Sequence, residues 1–187
     1  MSLRYGFCFI HVGKVAGTAI RNSLSEKLGI HHFKSPGYFG PLKGTSGTRA
    51  IDYERALGPE TFDQLFSFAF VRNPWDRILS WYFYDDFGIN DFSSWQEAFF
   101  SKGGMTQMDY LKSSSGEIAV DFIGRYENLQ ADWRRVCTCI HAPPFTLPII
   151  NASSKQQNRQ QYTSEQRDWV QKNFAEEISY FSYTFSD

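Results

Sequence analysis

The run Gly13-Lys14-Val15-Ala16-Gly17-Thr18 places a mobile cation, two glycines and a hydroxyl between an apolar stretch and a helical pattern that begins at Ala19. This is the composition of an anion cradle. Backbone N–H groups and the dipole of the following helix both favour negative charge there. Lys14 adds a positive charge, Gly17 permits close backbone approach, and the Thr18 hydroxyl can donate to an anionic oxygen. The phosphate loop of nucleoside triphosphatases carries its Lys after the last Gly and directly before Ser or Thr. Here Lys14 precedes Gly17, so the order Lys-x-x-Gly-Thr disfavours an ordinary ATPase or GTPase. A second group lies in Phe70-Val71-Arg72-Asn73-Pro74-Trp75-Asp76-Arg77-Ile78-Leu79-Ser80. Arg72 closes an apolar run and Ser80 falls on the helix that follows. An arginine at the carboxyl end of a parallel strand faces the crevice where such sheets bind ligands, and its fork suits a terminal phosphate. The plainer alternative is a surface ion network among Arg72, Asp76 and Arg77.

These residues need strands and helices in a definite order to position them. Residues 5–12 form an apolar run of strand length that stops at Gly13, and 19–28 carry Ile20, Leu24 and Leu28 at helical spacing. Residues 31–49 show no period and read as a long irregular loop, followed by short helices over 51–56 and 60–65. A second buried strand covers 66–72 and is halted by Asn73-Pro74, with proline suited to the first turn of the helix over 75–87. Residues 88–115 carry a helix over 94–100, a flexible Gly103-Gly104 and then a Ser113-Ser114-Ser115-Gly116 loop, and acceptor-binding segments are expected there. A third strand and helix cover 120–126 and 127–140. Pro143, Pro144 and Pro148 impose an extended passage, and residues 151–161 form a polar loop like a lid or rim. Thr163-Ser164-Glu165-Gln166 opens the last helix as a capping box, with Trp169, Val170, Phe174 and Ile178 on its buried face. The strand-helix alternation predicts an α/β fold with three layers and a central, mostly parallel sheet, formed by residues 1–187 as a single domain.

Composition removes several classes of function. The 19 Lys and Arg against 20 Asp and Glu leave a formal charge of -1, which argues against a nucleic-acid partner. A hydrophobic fraction of 42% and an aromatic fraction of 18% exclude a disordered chain. Cys8, Cys137 and Cys139 cannot all pair, and Cys-Thr-Cys lacks the usual metal spacing, so reduced thiols and no metal site are expected. Nothing approaches about 18 consecutive apolar residues. The expectation is a cytoplasmic protein with no membrane segment.

Taken together, the two motifs resemble those of the sulfotransferases that use 3′-phosphoadenosine 5′-phosphosulfate (PAPS) as donor. Residues 9–20 are similar to the 5′-phosphosulfate loop, and residues 68–80 to the 3′-phosphate segment in the form typical of the carbohydrate branch. Phe122-Ile123-Gly124-Arg125-Tyr126-Glu127-Asn128-Leu129 and the tail from Leu147 to Tyr183 extend the resemblance over most of the chain. It implies a fold related to the P-loop kinases. It implies that Gly13, Lys14, Val15, Ala16, Gly17, Thr18 and Ala19 hold the phosphosulfate, and that Arg72 and Ser80 hold the 3′-phosphate. Lys14 would also act in catalysis, and Lys155 and Arg159 would close over the nucleotide. The reaction implied is sulfuryl transfer to a hydroxyl or amine of a small-molecule or carbohydrate acceptor. Two alternatives stand beside it: an ATP-dependent kinase using magnesium, and a PAPS-binding module without activity.

An acceptor hydroxyl also needs a base within hydrogen-bond reach. Many related enzymes carry a His shortly before the helix that precedes the second strand, but Thr45-Ser46-Gly47-Thr48 contains none. His31 and His32, earlier in the same loop, are the nearest substitutes. His11 reads as strand-end packing and His141 as a helix-end residue, while Glu54, Asp85 and Asp86 are carboxylate alternatives. Trp81, Tyr82, Phe83 and Tyr84 are candidates to line an acceptor cleft, with core packing the competing role.

Overall fold

Phe7–Ile10 reads Phe-Cys-Phe-Ile, and all of it is buried. An apolar run without alternation is what a strand covered on both faces requires, and it forms β1. Phe66–Val71 (β2) and Phe122–Arg125 (β3) complete a parallel sheet in the order β1-β2-β3. Phe7 lies opposite Phe66 and Ile10 opposite Ala69; Phe68 lies opposite Phe122 and Val71 opposite Arg125. The protein is therefore α/β, with a three-stranded parallel sheet among helices. The fold is that of a computed structural model, which describes residues 1–2, 4–30, 48–84, 88–148 and 159–186.

The chain forms two compact units, Met1–Val71 with Met108–Ile150 and Arg72–Gln107 with Asn151–Asp187. The first holds the sheet with helices α1 (Gly17–Leu28), α2 (Ala50–Leu57) and α3 (Pro59–Asp63). Phe68 is its centre. The ring stacks on Phe9 at 5.0 Å and meets Trp133 at 6.3 Å, and Trp133 in turn abuts Phe145 at 5.2 Å. Gly124 is required inside β3, because an added Cβ would lie 2.5 Å from the Phe70 ring. Cys8 and Cys137 are buried free thiols and Cys139 is an exposed one. Burial pushes the Cys8 thiol up to about 12, so it is protonated and inert.

The second unit contains α4 (Pro74–Tyr84) and α5 (Phe92–Ala98). A short helix, α6 (Gln107–Leu111), starts at its last residue and continues into the first unit, where α7 (Leu129–Cys139) follows β3. The tail returns to the second unit as α8 (Ser164–Asn173) and α9 (Ala175–Phe181). Trp95 anchors an aromatic core with Tyr82 at 5.7 Å and Phe99 at 5.4 Å, and Phe99 meets Phe174 at 6.0 Å. The expected capping box is present. Thr163 Oγ1 accepts the Gln166 N–H at 3.3 Å while Gln166 Oε1 accepts the Thr163 N–H at 2.9 Å. The single last helix expected from periodicity is two helices, because Phe174 leaves helical geometry to pack into this core. Residues 107–111, where the sequence predicts no helix, are helical. Among the described residues, no helix is long and apolar enough to cross a membrane.

Candidate functional site

The chain turns sharply as it leaves β1, with the Val12 N–H donating to the Ile10 carbonyl at 3.1 Å. Lys14 and Ala16 then adopt left-handed backbone, at φ 68° and 65°. For residues with a Cβ this costs about 1–2 kcal/mol each. Left-handed residues recur in loops whose successive N–H groups form a concave anion nest. Ala16 occupies the N-cap position of α1 and has no side-chain oxygen, so the first N–H groups of the helix go without a side-chain cap. The loop and the 12-residue helix behind it therefore offer backbone donors to an anion.

Gly17 has a second reason to be glycine. A Cβ there would lie 1.8 Å from both Cδ2 and Nε2 of His11. The imidazole fills the space a side chain would occupy, and it stacks on Phe9 at 5.6 Å with the planes 16° apart. Burial, reinforced by the charge of Arg21, brings the His11 pKa down to about 4, so the ring is neutral near pH 7. The sequence reading of His11 as strand-end packing agrees with this, but its contact with Gly17 is a three-dimensional fact that spacing does not reveal.

Arg72 follows Val71, the last residue of β2. Its N–H donates to Oε1 of Gln107 at 2.8 Å, and its carbonyl accepts from Nε2 of Gln107 at 2.8 Å. Asn73, fully buried, caps α4: its Oδ1 accepts the Trp75 N–H at 3.2 Å, and its Nδ2 donates to the Thr184 carbonyl at 2.8 Å. Pro74 takes the first helical position, as expected. Ser80 lies further along α4, buried at 8% exposure.

The ion network suggested by the spacing has different partners. Arg159 pairs with Asp76 through two bonds, Nε to Oδ1 at 2.8 Å and Nη2 to Oδ2 at 2.9 Å, and also donates to the Phe185 carbonyl. Arg77 is fully buried and donates from Nη2 to the Met105 carbonyl at 2.9 Å.

A profile of the sulfotransferase family matches residues 1–184, almost the whole chain. The chain belongs to the sulfotransferase family. An uncharacterized protein of Archaeoglobus fulgidus is 31% identical over 103 residues, which cover 52% of this chain and 86% of that protein. No solved structure matches.

The remaining residues singled out for sulfotransferase chemistry fall in several places. His31, His32, Lys155, Asp85 and Asp86 lie outside the described residues. Glu54 is engaged elsewhere, since its carboxylate accepts the Ser114 N–H at 2.9 Å and the Ser114 hydroxyl at 3.1 Å. His141 is exposed and left-handed, closing the turn after α7 with its N–H on the Thr138 carbonyl at 3.2 Å. Tyr82 belongs to the aromatic core, its ring tilted against Phe92 at 4.8 Å, and Trp81 meets Phe99 edge-on at 6.5 Å. Tyr84 points outward with 67% exposure. Gln107 was not legible as a partner of Arg72, because nothing in its local sequence links the two.

Proposed function

We propose that this sulfotransferase takes PAPS as donor and passes its sulfuryl group in line to a hydroxyl or amine of an acceptor, a carbohydrate. The observation that carries the reading is the left-handed backbone at Lys14 and Ala16, ahead of a helix without a side-chain cap. Such a loop suits a phosphosulfate. Gly13, Val15, Ala16, Gly17, Thr18 and Ala19 offer it backbone donors and one hydroxyl. Lys14 stabilises the charge that gathers on the bridging oxygen as transfer proceeds, an interaction stronger in the transition state than in the ground state. Arg72 and Ser80 take the 3′-phosphate, and the double hydrogen bond on the Arg72 peptide fixes the main chain from which its side chain departs.

The donor supplies an activated sulfuryl group, which no side chain can. That group carries less charge than a phosphoryl group, so Lys14 and backbone donors meet it without a metal. His31 or His32 takes the acceptor proton. Of the two cations assigned to the nucleotide from sequence, Lys155 is kept, and Arg159 is given instead to Asp76. Residues 1–187 act as one domain on this reading.

The test is transfer of labelled sulfate from PAPS to a panel of hydroxyl- and amine-bearing saccharides. Lys14→Ala should lower kcat by about 10²–10³-fold. One of His31→Ala and His32→Ala should lower it by about 10²-fold or more. A Lys14→Ala variant as active as the parent would contradict the assignment.

A further inference from the structure

Gln107 treats the Arg72 peptide as a neighbouring strand would, accepting its N–H and donating to its carbonyl, both at 2.8 Å. The β2–β3 ladder ends at Val71 opposite Arg125, so Arg72 is the first residue past it and the amide takes over the pairing. Glu177, on α9, holds the amide in turn. One carboxylate oxygen accepts the Gln107 backbone N–H, which opens α6, and the other accepts Nε2–H at 3.0 Å. Gln107 and Glu177 are both 0% exposed.

The arrangement admits one orientation of the amide. Oε1 is used by the Arg72 N–H, and the two Nε2 hydrogens go to the Arg72 carbonyl and to Glu177. A flipped amide would set NH2 against an N–H donor and oxygen against a carboxylate. Each link therefore fixes the next, from Glu177 through Gln107 to the main chain from which the Arg72 side chain departs.

We infer that Gln107 and Glu177 are positioning residues that set the pose of Arg72 for a nucleotide 3′-phosphate, so that selectivity for that phosphate depends on a carboxylate carried by α9. This rests on the reading of Arg72 as a 3′-phosphate ligand. A network that only closed the N-terminus of α6 would make a different prediction, which separates the two.

The experiment compares the affinity of the full chain for 3′,5′-adenosine bisphosphate with its affinity for 5′-AMP, which lacks only the 3′-phosphate. The unmodified chain should favour the bisphosphate by about tenfold to a hundredfold. Arg72→Ala should bring the ratio close to one. Glu177→Gln turns one accepting oxygen into a donor facing a donor, and Gln107→Asn is too short to span both groups of the Arg72 peptide. Each should lower the ratio at least about threefold while the 5′-AMP affinity holds, a shift below one hydrogen bond's full worth.

A fall in melting temperature with the ratio unchanged would overturn the inference and leave a purely structural network. A ratio of one in the unmodified chain would overturn it together with the assignment of Arg72, and that failure is visible before any variant is made. Should neither variant fold, hydrogen exchange at the Arg72 amide of the unmodified chain decides. Protection equal to that of the β2 core is expected, and exchange at the rate of an open loop would overturn the inference.

Discussion

His11 and Gly17 work as a pair, because the imidazole sits where a Cβ on residue 17 would have to go, 1.8 Å from it. Gly17→Ala should therefore destabilise the fold by about 1–3 kcal/mol. Removing the ring as well, in the His11→Ala, Gly17→Ala double variant, should raise the melting temperature above that of the single variant. Equal melting temperatures would contradict the packing assigned to the pair. The same ring makes stability depend on pH. Unfolded, His11 titrates near its ordinary value of 6.5, but folded only at about 4, chiefly through burial and secondarily through Arg21. As pH falls below 6.5 the unfolded chain gains a proton that the folded chain refuses, so the stability held above 6.5 is lost as pH falls through about 4. Denaturant titrations between these limits should show a shallower acid decline for His11→Asn than for the parent. Identical slopes would remove His11 as the cause.

At the scale of elements, Asp76 in the first turn of α4 and Arg159 in the short turn Arg159–Gln161 form a two-bond pair that is largely shielded, with side-chain exposures of 28% and 17%. Asp76→Asn should cost about 1–3 kcal/mol in a denaturant titration, and an unchanged midpoint would show the pair to be idle. The strands were legible in the sequence because β1 and β2 are apolar runs without alternation, each ended abruptly, by Gly13 and by Asn73-Pro74. The capping box at Thr163 and the proline at the start of α4 were legible because their chemistry is local. The loop between β1 and α1 was legible for the same reason, since its glycines, Lys14 and Thr18 are contiguous. Arg159 was not, because its partner lies 83 residues away and only the fold brings the two together. Nor was the break at Phe174, where an aromatic packing site overrides helical periodicity.

For the whole molecule, the claim that residues 1–187 act as one domain predicts a single calorimetric unfolding transition whose van't Hoff and calorimetric enthalpies agree. Two resolved transitions would instead assign independent stability to the unit holding the sheet and to the unit holding α4, α5, α8 and α9. The donor assignment also concerns the whole molecule, because it draws on two separate stretches of the chain, the loop at Lys14 and the segment at Arg72. The most direct test is calorimetric titration with 3′,5′-adenosine bisphosphate beside magnesium ATP, repeated with Lys14→Ala and Arg72→Ala. The account predicts preference for the bisphosphate, weakened about tenfold or more by each substitution. Preference for magnesium ATP, or bisphosphate binding indifferent to both substitutions, would contradict it.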